Sequence, residues 1–310
     1  MTLYEALLDC HRHISPFIHR TPVLTSRSVD AMAGCQVYFK CENFQKGGAY
    51  KIRGALNACR QLTSGQKQKG VTTHSSGNFA QALTLAARSL GMKAYIVMPS
   101  SAPAVKVEAV KGYGGEVIIC GPSLREREEA SARILADTGA TFIHPSNDLQ
   151  VIIGQGTATL ELLEEVPELD ALFCPVGGGG LIAGACIAAE GKCAVYGGEP
   201  FAVDDAYRSL QSGRIESNET TDTVADGLKT QLGDVNFPII RQQVQGIVRV
   251  AEEEIVAAMR LIWERMKIVV EPSSAVALAA VLRDRERWQY KKVGVLLSGG
   301  NVDLGKLPFS

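Results

Sequence analysis

The chain has 310 residues, more than one small core can absorb, so it predicts two lobes or one large α/β domain. Its 32 basic and 33 acidic residues are interspersed and leave a net charge of -1, which excludes the basic stripe of a nucleic-acid binder and a polybasic membrane patch and points to a small ligand. The eight cysteines (Cys10, Cys35, Cys41, Cys59, Cys120, Cys174, Cys186, Cys193) form no CxxC pair and several lie in apolar runs, so reduced thiols in a cytoplasmic compartment are expected.

From the N-terminus, MTLYEALLDCHRHI meets an acid early and lacks the apolar core of a signal peptide, so secretion is not expected. Short apolar or β-branched runs then recur at Val37–Phe39, Val71–Thr73, Ala94–Val97, Val117–Ile119, Ala171–Phe173, Ala194–Tyr196 and Val293–Leu297. Helical patterns separate them, and this alternation predicts the α/β class with βαβ units and largely parallel sheets. After Lys51, the residues Ile52, Ala55, Leu56, Cys59 and Leu62 keep helical spacing; Phe79, Ala82, Leu83, Ala86 and Leu90 do so before Gly91, a fitting helix terminator. The segment from about Gly70 to Asn147 carries three strand–helix pairs, enough for a small sheet domain. The expected division is 70–147 as a small domain and 1–69 plus 148–310 as a large one. The longest apolar stretch, Ile268 to Leu282, is interrupted at Glu271-Pro272, so no membrane span is expected.

Four segments carry candidate chemistry. In Lys46-Gly47-Gly48-Ala49-Tyr50-Lys51, two glycines and an aromatic precede a lysine at the first turn of a helix, where the positive end of the helix dipole favours a neutral, nucleophilic amine. A solvated lysine after a flexible loop fits that segment equally well. Val176-Gly177-Gly178-Gly179-Gly180-Leu181 follows a strand and opens a helix, so its amides can close around a phosphate. No Walker lysine follows it, but Gly178-x-Gly180-x-x-Ala183 with Glu199 also fits a dinucleotide fingerprint, which keeps an NAD-dependent oxidoreductase in view. His74-Ser75-Ser76-Gly77-Asn78 offers hydroxyls, an amide and backbone N–H groups for a carboxylate or a cofactor ring, but in isolation reads more readily as a helix cap. Ser298 in Leu297-Ser298-Gly299-Gly300-Asn301 could meet a ring nitrogen or begin a turn.

Together GGAYKIRGALNA, HSSGN, IGQGTATLELLEEVP, PVGGGGLIAG and LSGGNVDL resemble the serine racemase and serine/threonine dehydratase branch of fold-type-II pyridoxal-phosphate enzymes over nearly the whole chain. The resemblance implies two doubly wound α/β domains with the active site between them, a homodimer, and turnover of serine or threonine, with 3-hydroxyaspartate as the alternative substrate. It makes Lys51 the Schiff-base lysine, lays Tyr50 against the cofactor ring, sets Asn78 on its ring hydroxyl, Gly177, Gly178, Gly179 and Gly180 on its phosphate, and Ser298 at its pyridine nitrogen. Ser75, Ser76 and Gly77 would hold the substrate carboxylate, Ser76 would act as acid or base opposite Lys51, and Arg127 would approach the substrate as the small domain closes. Glu199, the carbonyl of Val203 and Asp205 match the family's divalent-cation site, and oxygen ligands suit Mg²⁺, Ca²⁺ or Mn²⁺. Two positions depart from the family: Phe79 stands where relatives usually carry histidine, and Ser146 where serine racemases often carry asparagine.

Overall fold

The computed structural model describes residues 1–75, 77–102 and 104–309. Within them lie the strands β1 (Val23–Leu24), β2 (Gln36–Cys41), β3 (Val71–His74), β4 (Ala94–Pro99), β5 (Glu116–Cys120), β6 (Thr141–Phe142), β7 (Ala171–Pro175), β8 (Ala194–Pro200), β9 (Val244–Val250) and β10 (Lys292–Leu297). They form two sheets, ordered β1-β2-β10-β7-β8-β9 and β5-β4-β3-β6. All pairings are parallel except that of β1 with β2. In β7, Leu172 and Cys174 enter one apolar core while Ala171 and Phe173 enter the other, the two-residue period of a strand covered on both faces.

Each strand expected from an apolar run is present. The other three, β1, β6 and β9, gave no such run. Two of them are only two residues long, and β9 is an edge strand that leaves Val244, Gly246, Val248 and Arg249 half-exposed, so its sequence mixes apolar with polar residues.

Strand order places the loops. In the larger sheet β7, β8 and β9 step outward in one direction, and β10 returns to the other side of β7. The connections therefore diverge between β10 and β7, which opens a crevice beyond their carboxyl ends. Ser298 and the run beginning Val176-Gly177 follow those two ends. The smaller sheet repeats the device, with β6 returning beside β3, so that Ser75 and His144 lie just beyond its own divergence.

One helix, Leu149–Glu165, carries two others that matter to these loops. Helix Lys51–Gln61 crosses it where Gly54 meets Gly154, and helix Gly180–Ala189 crosses where Gly156 meets Gly184. A Cβ on Gly154 would fall 2.5 Å from Gly54 Cα, and one on Gly156 would fall 2.5 Å from Gly184 O. Only bare backbone permits that approach. Gly154→Ala is expected to cost about 1–3 kcal/mol through overpacking, seen as a lower urea midpoint with an unchanged slope; a midpoint equal to wild type would show that the crossing relaxes freely.

Candidate active site

The chain enters helix Lys51–Gln61 through Gly47 and Gly48, whose φ angles of +72° and +70° suit glycine alone. This approach is joined to the loop after β10: Ala49 bridges Gly299, the Tyr50 amide donates to Ser298 O at 3.1 Å, and the Gly300 amide donates to Gly48 O at 2.9 Å. Tyr50, Lys51 and Ser298 are thus brought together from opposite ends of the sequence. Lys51 Nζ donates to Pro145 O at 3.0 Å and lies 5.0 Å from the centroid of the Tyr50 ring and 5.8 Å from that of Phe79. No carboxylate pairs with it among the described residues. Burial pushes its pKa down to about 8, against an opposing pull from Glu271.

Asn78 opens its helix with both ends of its amide committed. Its Nδ2 donates to Glu271 Oε1 at 2.8 Å, and its Oδ1 accepts from Asn301 Nδ2, which also donates to Gly47 O. Glu271 itself is buried, and that burial raises its pKa to about 8. Ser75 Oγ accepts the Gly77 amide at 3.3 Å beyond the end of β3. Ser76 lies outside the described residues. Arg127 sits on helix Leu124–Thr138 with its Nε on Ser123 O; its charge is felt at His74, and no contact joins it to Lys51.

The glycine run is shaped from behind. A Cβ on Gly178 would fall 2.3 Å from Ser146 Oγ, one on Gly179 would fall 2.6 Å from Leu232, and Gly179 holds φ +77° as the cap of helix Gly180–Ala189. Asn236 Nδ2 donates to both Gly178 O and Ser146 O. The amides of Gly177, Gly178 and Gly179 donate to no protein acceptor among the described residues. Orphan donors at the positive end of a helix call for an anion, so the loop fits a phosphate. Ser298 is nearly fully buried, and its hydroxyl has no protein partner among the described residues, which fits a ring nitrogen.

The carboxylates proposed for a cation are both fully buried, Glu199 in β8 and Asp205 at the start of the helix Asp205–Ser212. Glu199 accepts the amides of Ala206 and Tyr207, and Asp205 accepts Asn218 Nδ2 and the Leu232 amide. Burial first, and Asp205 second, push Glu199 well above the usual carboxylate range; burial raises Asp205 to about 6. Val203 is buried beside them in sequence. Among the described residues no group of three or more His, Cys, Asp or Glu side chains is placed to hold a metal, so the set amounts to two carboxylates and a carbonyl. Glu199 is also too enclosed to reach a ribose, which removes the geometric support for a dinucleotide site.

Several participants had no role in the sequence reading: Glu271, Pro145, His144, Asn236 and Asn301. Glu271 left a signal as a lone acid inside Ile268–Leu282, because an acid amid apolar residues marks a buried carboxyl that needs a partner. Phe79 is buried beside the lysine, and Ser146 backs the glycine loop, so both departures from the family pattern fall within the site.

A family model described as pyridoxal-phosphate dependent enzyme matches residues 14–299. A serine racemase of Dictyostelium discoideum is 47% identical over 306 residues, covering 96% of this chain and 94% of its own. The crystal structure of serine racemase from that organism matches at a TM-score of 0.93 over 97% of this chain and 99% of that one, with 47% identity. A beta-hydroxyaspartate dehydratase of Paracoccus denitrificans (strain Pd 1222) is 47% identical over 310 residues, covering 99% of this chain and 98% of its own. A match that runs through both sheets and every strand end that bears a site loop leaves one assignment: the chain belongs to the family of pyridoxal-phosphate-dependent enzymes and has their fold-type-II architecture.

Proposed function

We propose that the chain is a serine racemase and L-serine/L-threonine ammonia-lyase, acting on small β-hydroxy amino acids with Lys51 as the lysine that carries the cofactor. The observation that carries this reading is Lys51 itself: a half-buried amine, held by one neutral carbonyl, with its pKa lowered to about 8 by desolvation. Gly177 to Gly180 would hold the phosphate, Asn78 the ring hydroxyl through the second N–H of its Nδ2, and Ser298 the ring nitrogen, with Tyr50 against the ring. When bound, pyridoxal phosphate supplies an electron sink for the bonds at the α-carbon. Lys51 takes the α-proton on its own face, and its neutral form is the one that can do so. Ser75, Ser76 and Gly77 hold the substrate carboxylate and so fix which face Lys51 meets. If Ser76 then delivers a proton to the opposite face, the enantiomer forms. If the β-hydroxyl leaves first as water, later hydrolysis gives a 2-oxo acid and ammonia. Because Ser298 offers a hydroxyl where a carboxylate would hold a proton on the ring nitrogen, the second outcome competes well.

A second reading, 3-hydroxyaspartate dehydratase, is favoured by the Paracoccus relative, as similar to this chain as the racemase is. Its substrate has one more carboxylate, and Arg127 would approach the substrate once residues 70–147 close on the body formed by 1–69 and 148–310. Parallel assays of serine, threonine and 3-hydroxyaspartate separate the two. Glu199, Val203 O and Asp205 are the proposed divalent-cation ligands, for Mg²⁺, Ca²⁺ or Mn²⁺. The homodimer is proposed on the family resemblance. Cytoplasmic residence is supported by eight free cysteines, seven of them buried. No helix among the described residues is long and apolar enough to cross a membrane.

Lys51→Ala is expected to lower turnover by about a thousandfold or more while thermal unfolding stays cooperative, since both the covalent tie and the base are lost; turnover near wild type would end the proposal. For the cation, the folded protein holds protons on Glu199 and Asp205 that the unfolded chain releases near the ordinary values of 4.5 and 3.8. Ionising them therefore costs stability as pH rises through those values and past 6. A bound cation offsets that cost, so the gain in Tm from a divalent ion should be larger at about pH 8 than at about pH 5, and Glu199→Gln should abolish it. An equal gain in the variant would move the cation elsewhere.

Ser76→Ala should cut L-to-D conversion of serine by about a hundredfold while sparing L-serine elimination, because only conversion needs a proton donor opposite Lys51. Both enantiomers and pyruvate are followed together; interconversion at the wild-type rate would reassign Ser76 to carboxylate binding or capping.

A further inference from the structure

His144 follows β6, whose carboxyl end lies beside that of β3 at the divergence in the smaller sheet. Its ring packs against Phe142 and His74, with centroids 6.3 Å and 6.4 Å away. Its Nδ1 accepts two backbone amides from the next turn, Ser146 N at 3.2 Å and Asn147 N at 2.8 Å. A ring that accepts on Nδ1 carries its proton on Nε2 and is neutral.

The Ser146 amide shares a peptide unit with the Pro145 carbonyl. That unit is planar and trans, as every peptide bond described here is, so its N–H and C=O point in opposite directions. Fixing the N–H on His144 therefore aims the C=O the other way, and there it receives Lys51 Nζ at 3.0 Å. One peptide plane thus links His144 to the lysine amine, and each hydrogen bond polarises the other. The same turn backs Gly178 through Ser146 and is tied to Asp234 and Val235 through Asn147. Pro145 has no N–H of its own, so without His144 the first two amides of the turn would be left unpaired in a largely buried place.

We propose that His144 is a positioning residue for Lys51: by accepting the Ser146 and Asn147 amides it sets the peptide plane whose carbonyl holds the lysine amine beside the glycine loop. The proposal rests on Lys51 being the cofactor lysine. The charged or titratable groups that face His144 are His74 on β3, Lys51 on its helix and Asp234, and burial together with the first two keeps its own pKa down at about 4. The ring therefore stays neutral throughout the range in which Lys51 titrates.

The test uses two variants with opposite losses. His144→Phe keeps an aromatic ring against His74 and Phe142 but removes the acceptor. His144→Asn gives up the ring but keeps a short side-chain oxygen able to accept from the same two amides. The main readout needs no turnover: the full-length chain is stripped of cofactor, its amines are labelled across a pH series, and the Lys51 peptide is quantified by mass. A carbonyl acceptor favours the ammonium form, so its loss in His144→Phe should move the Lys51 midpoint below its wild-type value and weaken pyridoxal-phosphate binding by about tenfold. His144→Asn should keep the midpoint and recover most of the binding. A midpoint unmoved in His144→Phe, or moved equally in both variants, overturns the proposal and leaves His144 as packing. Loss of activity in Lys51→Ala bears on the cofactor lysine alone, so the two claims fail separately.

Discussion

Everything at the site is measured from the distance at which three helices pass one another. Helix Leu149–Glu165 meets helix Lys51–Gln61 through Gly54 and Gly154, and meets helix Gly180–Ala189 through Gly156 and Gly184. A side chain at any of these crossings would have to push two backbones apart. Lys51 begins one of the crossing helices and the glycine run caps the other, so the separation of amine and glycine run is set by backbone contact rather than by adjustable side chains. Interiors packed in this way transmit displacement instead of absorbing it.

A second restraint acts on the same helix, nearer its end. Arg53, two residues past Lys51, is fully buried and spans Glu42 and Glu161, with N–O distances of 2.7 Å and 2.8 Å, while Lys40 Nζ joins Glu161 at 2.8 Å. Burial alone would raise the Glu161 carboxyl, but hydrogen bonds from His11 and Arg53 hold it far below the usual carboxylate range. Two carboxylates and two cations sealed from water contribute little net stability as a set, whereas removing any one strands a charge. Such a cluster accepts one register of the helix that bears Lys51, and this is the specificity that the apolar crossing beneath it lacks.

Legibility in the sequence follows from how local each interaction is. The strands buried on both faces announced themselves as apolar runs, and helix Lys51–Gln61 by its spacing. Strand β9 did not, because Gln245, Gly246 and Arg249 break its apolar residues, whereas the edge strand β5 was still read from its unbroken run Val117–Ile119. The glycine run and Lys51 were readable since each pairs a residue type with an adjacent helix start. The hydrogen bonds of Glu271, Asn236 and His144 were not, because their partners lie 193, 90 and only 2 residues away: the first two bonds join distant segments, and the last depends on which ring nitrogen faces the turn. The IGQGTATLELLEEVP segment was legible as family likeness, while its reason, two glycine crossings and the Glu161 carboxylate in a single helix, required the packing.

The site suppresses its own charge. Burial draws Lys51 toward the neutral amine and Glu271 toward the neutral acid, and the His144 ring is held neutral beside them. On the proposed reading a phosphate would meet the amides of Gly177, Gly178 and Gly179 beyond β7, which have no protein acceptor among the described residues, rather than a fixed cation. An amide donor has no ionisation state to lose and no rotamer to order, but it can be aimed only by moving the chain. Recognition that relies on amides therefore has to be built into the fold, and the crossing of Gly156 with Gly184, which fixes the helix capped by the glycine run, is the means by which this chain would aim them.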